Sequence, residues 1–306
     1  STEGIGDHRI ANYQIRSHHG HDVTDFHYHA YIISKGKSAI PGLPSLHATT
    51  SEVTTLEIIL KDAVQQLEMR LIYTLFENYP ILTRRAVYAN LSDTMVALEN
   101  AGSMSIDLAE SQFDLITLDG SHTNEANITR QAIRSGIHRI ESTRGTSSPQ
   151  HQPFLALTTP YTSEFQGEVF AFLFIYSGNF IAQVELEQYG TTRVQLGIHP
   201  DHFEWQLKPN DYFYTPEVVL NYSTQGLNGM SQTFHQLYQE HLVPINWSKK
   251  ERPILLNTWE ANYFELSEQE LIKQAHKAAE VGIELFVLDD GWFGHRDSDN
   301  SSLGDW

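Results

Sequence analysis

Between residue 23 and about residue 225 the chain repeats one cadence, and that cadence limits its fold more than any other feature. Short runs rich in Thr, Ile, Val, Tyr and Phe, many of them alternating apolar with polar, are each closed by a turn signal. They include "HYHAYIIS", "TTLEIILKD", "MRLIYTLFE", "RRAVYANLS", "SMSIDLAES", "VFAFLFIYSGNF", "AQVELEQY" and "TRVQLGI". Period-two alternation marks half-buried strands. Gly-containing breaks such as "SKGKSAIPGLP" separate the runs. At least eleven strands in one region are too many for a small barrel. Two stacked antiparallel sheets, each burying one face, are the expected arrangement.

The period changes near residue 229. "GMSQTFHQLYQEHLVP" sets Met230, Phe234, Leu237 and Tyr238 on one helical face, with Pro244 beyond its end. "ILLNT" then reads as a short apolar strand. Ser267 and Glu270 form an S-x-x-E capping box. Leu271, Ile272, Ala275, Ala278 and Ala279 give the next helix an apolar face, and Gly282 stands where a helix-ending glycine belongs. "ELFVLDD" is a continuous apolar strand of the kind covered on both faces in a parallel sheet. The expected fold is therefore mainly β. It comprises a two-sheet sandwich over 1–228, a helical connector over 229–250 and a β-α-β unit over 251–306.

Composition narrows the function. Acidic residues outnumber basic ones 38 to 20, for a formal charge of −18, which repels phosphate backbones and argues against a nucleic-acid partner. No apolar run approaches the ~20 residues of a membrane helix, so no membrane partner is expected. The absence of cysteine excludes disulfides and thiolate metal sites within this sequence and fits a cytoplasmic location. Five N-x-S/T sequons begin at Asn90, Asn127, Asn221, Asn246 and Asn300 and read as coincidence. Six of the sixteen histidines fall in the first thirty residues: His8, His18, His19, His21, His27 and His29. His27 and His29 share a strand face but lack a third ligand fixed by spacing. "DSDNSSLGD" resembles a calcium loop with Ser302 where glycine is required and no closing glutamate. Neither metal nor cofactor is expected. Asp114, Asp119 and Glu125 read as solvated charges around a β-turn.

In α/β architectures reactive groups gather at the C-terminal ends of strands. That rule selects Trp259 and Glu260 past the first strand of the last unit, and Asp289 and Asp290 at the end of the second. Two acceptor-rich carboxylates beside Trp259 and Trp292 suit a sugar, whose hydroxyls donate and whose apolar face packs on indole. The competing reading makes the aspartates a helix N-cap and the tryptophans core. Adjacent carboxylates share one approach direction, so they do not form the flanking pair that glycoside hydrolysis needs, ~5–5.5 Å apart for retention.

The stretch "LLNTWEANYFELSEQELIKQAHKAAEVGIELFVLDDGWFGHRDSDNSSLGDW" closely resembles the start of the catalytic barrel of family 36 glycoside hydrolases, the bacterial α-galactosidases. Upstream, "GLP", "TLEI", "TRRAVYAN", "RGTSS", "YSGNF", "FEWQL" and "TPEVVL" resemble the β-supersandwich that precedes that barrel. The likeness runs from about Gly6 onward, with Pro149 where the family usually has histidine. It implies a retaining, cofactor-free α-galactosidase of melibiose- or raffinose-type sugars, assembled as a tetramer. Asp289 and Asp290 would bind the galactose 4- and 6-hydroxyls, and Trp259 would line the same subsite. The family's nucleophile and acid/base lie on later barrel strands, and no residue of this sequence matches them. A (β/α)8 barrel takes ~250 residues, whereas about 55 follow Pro253. The sequence is thus expected to be part of a longer enzyme, inactive alone, with a mobile or contact-held tail after Asp290. Three alternatives stay open: a carbohydrate-binding or oligomerisation module, an α-N-acetylgalactosaminidase, or a galactosyltransferase.

Overall fold

The computed structural model describes Asp7 and residues 9–306, so His8 lies outside the described residues. It divides into two units, Ser1–Val243 and Pro244–Trp306. Strands dominate the first. In chain order they begin with β1 (Tyr13–Arg16), β2 (His27–Lys35), β3 (Val53–Asp62), β4 (Leu67–Phe76), β5 (Ile81–Asn90) and β6 (Val96–Leu108). Next come β7 (Asp114–Ser121), β8 (Asn124–Ala132), β9 (Gly136–Ser142), β10 (His151–Thr158), β11 (Val169–Ile175) and β12 (Phe180–Leu186). β13 (Thr192–Ile198), β14 (Trp205–Leu207), β15 (Tyr212–Tyr214) and β16 (Glu217–Ser223) complete the series, and helix α1 (Gly226–Leu237) follows.

These strands form two sheets, as the sequence led us to expect. One is six-stranded, in the order β1-β6-β13-β12-β9 with β14 also on β6. The other is ten-stranded, in the order β2-β3-β4-β5-β16-β11-β10-β7-β8 with β15 on β5. Alternation decides what each sheet buries. On β11, Phe172 and Phe174 join a core shared with Phe180, Val184, Val194 and Leu196 of the six-stranded sheet. Their neighbours Val169, Ala171 and Ile175 point the other way, into a second cluster with Leu46, Phe234 and Leu237. A third cluster, around Ile15, Tyr88, Leu98 and Leu207, fills the other end of the sandwich. The middle of the ten-stranded sheet is thus dry on both faces, with α1 and the segment around Leu46 covering the outer one.

The apolar face read from sequence accounts for α1: Phe234 and Leu237 are buried, and Met230 and Tyr238 pack against them. A π turn, Tyr238–Leu242, continues the helix, with the Val243 N–H donating to the Tyr238 carbonyl at 2.8 Å. It presents His241, whose Nδ1 lies 2.9 Å from the His47 carbonyl, while the His47 N–H donates to the His241 carbonyl at 2.7 Å. Because α1 packs on the sheet, the boundary between the two units falls at Val243, inside the stretch 229–250 assigned to a connector.

Two local expectations change, and the reading of the first sequon as coincidence is supported. β2 alternates in sequence yet is exposed along nearly its whole length, because it is an edge strand that nothing among the described residues of this unit covers. Asp114 and Asp119 are more than solvated charges: Asp114 pairs with Arg130 and Asp119 with His151, each at 2.8 Å. Asn90, the first sequon asparagine, is fully buried and donates to the carbonyls of Thr94 and Leu207.

The second unit holds α2 (Ile245–Ser248), β17 (Leu255–Asn257), α3 (Trp259–Asn262), α4 (Glu268–Glu280) and β18 (Leu285–Val287). β17 and β18 pair in parallel, Leu255 opposite Leu285 and Asn257 opposite Val287. Helix α4 ends as its sequence requires. Gly282 adopts φ +87°, the Ile283 N–H reaches the Ala278 carbonyl, and the Gly282 N–H reaches that of Ala279. Its start differs from expectation: Ser267 is the N-cap residue but makes no side-chain capping bond, and Glu270 instead holds Lys273 at 2.6 Å. β18 also lacks the two-sided cover inferred from its apolar run, since Leu285 is exposed. α4 is the one long helix described in this unit, and one helix can cover only one face.

The two-sided packing of β11 makes a direct test available. Phe172→Ala should cost about 3–5 kcal/mol in urea unfolding, the range for emptying a buried aromatic site. Tyr161→Ala, at an exposed side chain, should stay within about 0.5 kcal/mol of the parent.

Candidate functional site

The parallel register of β17 and β18 brings their C-terminal ends side by side, which is where the sequence placed its candidate residues. Thr258 joins them. It is buried, its N–H donates to the Val287 carbonyl at 3.1 Å, and its hydroxyl accepts from the Asp289 N–H at 3.1 Å. Asp289 and the residues after β17 are therefore locked to one another.

Each carboxylate then has its own partners. Asp289 Oδ2 accepts from Asn257 Nδ2 at 2.6 Å, and its Oδ1 accepts from the Asp290 N–H at 2.7 Å. Asp290 receives Arg296 through Nε at 2.9 and 3.1 Å and through Nη2 at 2.7 Å, and the Gly291 N–H at 2.8 Å. Arg296 also donates to the carbonyls of Ser298 and Ser301, so one guanidinium ties the tail to the strand end. Hydrogen bonding by Arg296 is the main cause that holds the Asp290 carboxyl below the usual carboxylate range, and Asp290 raises Arg296 in return. No helix follows Asp290, which leaves the N-cap reading without support.

Trp259 opens α3 with its N–H on Asn257 Oδ1 at 2.7 Å, and its ring stands edge-on to Tyr263 and Phe264. It is half-buried rather than core, and Trp292 is exposed. Glu260 is exposed, 3.5 Å from the Tyr263 hydroxyl. The structure thus gathers Asn257, Trp259 and Asp289 at one pair of strand ends and adds Asp290 with its arginine. Sequence reasoning missed Asn257 and Arg296. Asn257 could have been found, since it closes the first strand at the same level as the chosen residues. Arg296 carries no periodic signal; only chain reversal after Gly291 (φ +94°) brings it back.

An ionised carboxylate offers about four acceptor sites. Two on Asp289 and most of those on Asp290 are filled by protein donors, which leaves each able to accept from a ligand hydroxyl in a fixed direction. Among the described residues no group of three or more His, Asp or Glu is placed to hold a metal ion. In the loop 297–305, Ser302 does take φ +53°, but its hydroxyl accepts the His295 N–H.

Comparison with known proteins identifies the family. The model of the glycosyl hydrolase family 36 N-terminal domain matches residues 1–208, and the melibiase model matches 212–306. The chain belongs to glycosyl hydrolase family 36. Alpha-galactosidase AgaA of Geobacillus stearothermophilus is 47% identical over 304 residues, which cover 99% of this chain and 42% of that enzyme. Alpha-galactosidase Mel36A of Lactobacillus acidophilus is 44% identical, covering 95% of this chain and 40% of its own. The crystal structure of AgaA superposes with a TM-score of 0.93 at 48% identity, over 98% of this chain and 42% of that one. A variant of AgaA in complex with raffinose gives 0.95 at 47%, covering 100% and 43%. This family 36 chain therefore spans well under half the length of its curated relatives and corresponds to their N-terminal part.

The arginine clamp has a measurable consequence. A depressed carboxyl pKa contributes stability that is present above the unfolded-state value and lost as pH falls through the folded one. Replacing Arg296 with Met should raise the Asp290 pKa toward the ordinary carboxylate range, as read by carboxyl-carbon NMR titration. An unchanged midpoint would show that Arg296 does not govern this carboxylate.

Proposed function

We propose that this chain supplies the β-sandwich and the first β-α-β unit of a (β/α)8 barrel in a cytoplasmic, retaining α-galactosidase. The enzyme releases terminal α-galactosyl residues from melibiose- or raffinose-type sugars and works as a homotetramer without a cofactor. Asp289 and Asp290 accept hydrogen bonds from galactose hydroxyls, and Trp259 lines the same subsite. One observation carries this reading: the parallel strand ends hold Asp289 against Asn257 and Thr258 while Trp259 starts the adjoining turn. A neutral, hydroxyl-rich ligand fits acceptors whose charge the protein has already oriented, and it escapes the repulsion that a net charge of −18 exerts on anions.

Hydrolysis itself needs a nucleophile and an acid/base on opposite sides of the glycosidic bond. Asp289 and Asp290 are neighbours committed to Asn257 and Arg296, so neither role falls to them. The 306-residue chain by itself is therefore inactive in this proposal, and the catalytic pair belongs to later barrel strands.

Two measurements check this. Purified 306-residue chain should release no nitrophenol from a nitrophenyl α-galactoside. In the complete enzyme, Asp289→Asn should lower kcat/KM for melibiose by roughly 10–100-fold, the value of one hydrogen bond to a charged group. Wild-type efficiency in that variant would remove Asp289 from the subsite.

A further inference from the structure

Shortly after Trp259 a tyrosine occupies a backbone position that suits glycine. Tyr263 takes φ +47° and ψ −126°, away from the left-handed helical region and close to the first central position of a type II′ turn. The Glu265 N–H donates to the Asn262 carbonyl at 2.9 Å and closes that turn. The segment leading into it is fastened. The Tyr263 N–H donates to the Trp259 carbonyl at 2.8 Å, and the side-chain amides of Asn262 and Gln274 exchange hydrogen bonds at 3.1 and 2.9 Å, which ties the turn to α4. A residue other than glycine persists in such a conformation only where the surrounding structure over-determines it, and strain of this kind gathers at functional sites.

What the turn places is Phe264. Its half-buried ring meets Trp259 edge-on, with centroids 5.1 Å apart and planes at 87°. The Arg296 guanidinium lies 5.4 Å from the centre of the same ring, within reach of a cation–π contact. That guanidinium is the one that grips Asp290 through Nε and Nη2. The ring also borders the backbone just after Asp290, since a Cβ added to Gly291 would stand 3.5 Å from Phe264 Cδ1. One apolar side chain therefore touches the tryptophan, the arginine that holds a carboxylate, and the turn that follows that carboxylate. Phe264 has no side-chain donor or acceptor to offer a sugar. What it offers is a rigid surface against which the other groups are set.

We propose that Phe264 is a positioning residue of the galactose subsite, an inference that rests on the reading of Trp259 and Asp290 as galactose-binding groups. The Phe264 ring fixes the separation between the indole and the Arg296–Asp290 pair, so that the apolar face of one sugar ring and its hydroxyls are met together. The strained turn at Tyr263 delivers that ring. Phe264 acts through its neighbours and takes no part in the chemistry.

Kinetics of the complete enzyme test this. Phe264→Leu keeps an apolar side chain and removes the ring. Groups that grip galactose equally in the ground and transition states contribute uniform binding, so their misalignment should raise KM for melibiose and Ki for galactose at least about tenfold, with kcat changed less than about threefold. Phe264→Tyr retains the ring and should stay within about threefold of the parent in both constants. Parental KM and Ki in Phe264→Leu overturn the proposal, as does a loss confined to kcat. Trp259→Ala, measured alongside, separates this inference from the reading beneath it. If Trp259→Ala raises KM and Ki while Phe264→Leu does not, the role of Phe264 alone falls. If Trp259→Ala leaves both at the parental value, the subsite reading falls and takes this proposal with it. Should Phe264→Leu fail to fold, the turn itself is the test. Glycine takes the Tyr263 conformation freely and valine does not, so KM in Tyr263→Val should exceed that in Tyr263→Gly at least about tenfold. Equal values overturn the proposal.

Discussion

β11 and most of β16 are largely buried on both faces, Tyr222 near the end of β16 excepted, and most of the architecture follows from that. A strand dry on both sides must satisfy every backbone N–H and C=O in its own sheet. β11 accordingly sits between β10 and β16 with an unbroken antiparallel register, Phe154 to Thr158 on one side and Glu217 to Ser223 on the other. Only after those ladders are complete can phenylalanines fill the inter-sheet core while Val169, Ala171 and Ile175 receive α1. The helix is thus a second layer over the sheet, and the six-stranded sheet is the layer opposite.

How legible this was depended on which force wrote the signal. α1 was readable because Phe234 and Leu237 repeat at helical spacing and are buried for that reason. The glycine that ends α4 was readable because a left-handed residue there has one cheap solution. The two-sheet arrangement followed from the number of half-buried strand runs, too many for a small barrel. β2 misled, since its alternation is intrinsic to the segment while its exposure depends on being last in the sheet. The Ser267–Glu270 box misled because a capping pattern offers two hydrogen bonds without compelling them, and Glu270 found a lysine one turn on. At the strand ends, Asp289, Asp290 and Trp259 were visible from a topological rule. Arg296 was not, because its partner depends on how a loop doubles back.

The strand-end cluster is organised by asymmetry between neighbouring carboxylates. Asp289 is held by neutral donors and Asp290 by a guanidinium, so two adjacent acids coexist with only one of them facing a full positive charge. A cation on one member offsets the repulsion that close like charges would otherwise exert. The same arginine stitches the 297–301 loop to the strand, so the acceptor geometry and the course of the tail share one fastening.

The π turn at Tyr238–Leu242 sets a length requirement on the chain. Each π turn carries one residue more than an α turn, and here that residue brings His241 to the His47 carbonyl while Tyr79 meets Glu240. The segment is therefore out of phase with α1 by a single position. Relatives that remove one residue here would run straight α-helix to Val243 and lose the tie to His47, and those that add one elsewhere in the helix would swing the whole buried face off the sheet. Variation in the length of this part of the family should accordingly collect before Gly226 or after Val243, leaving the count between them fixed.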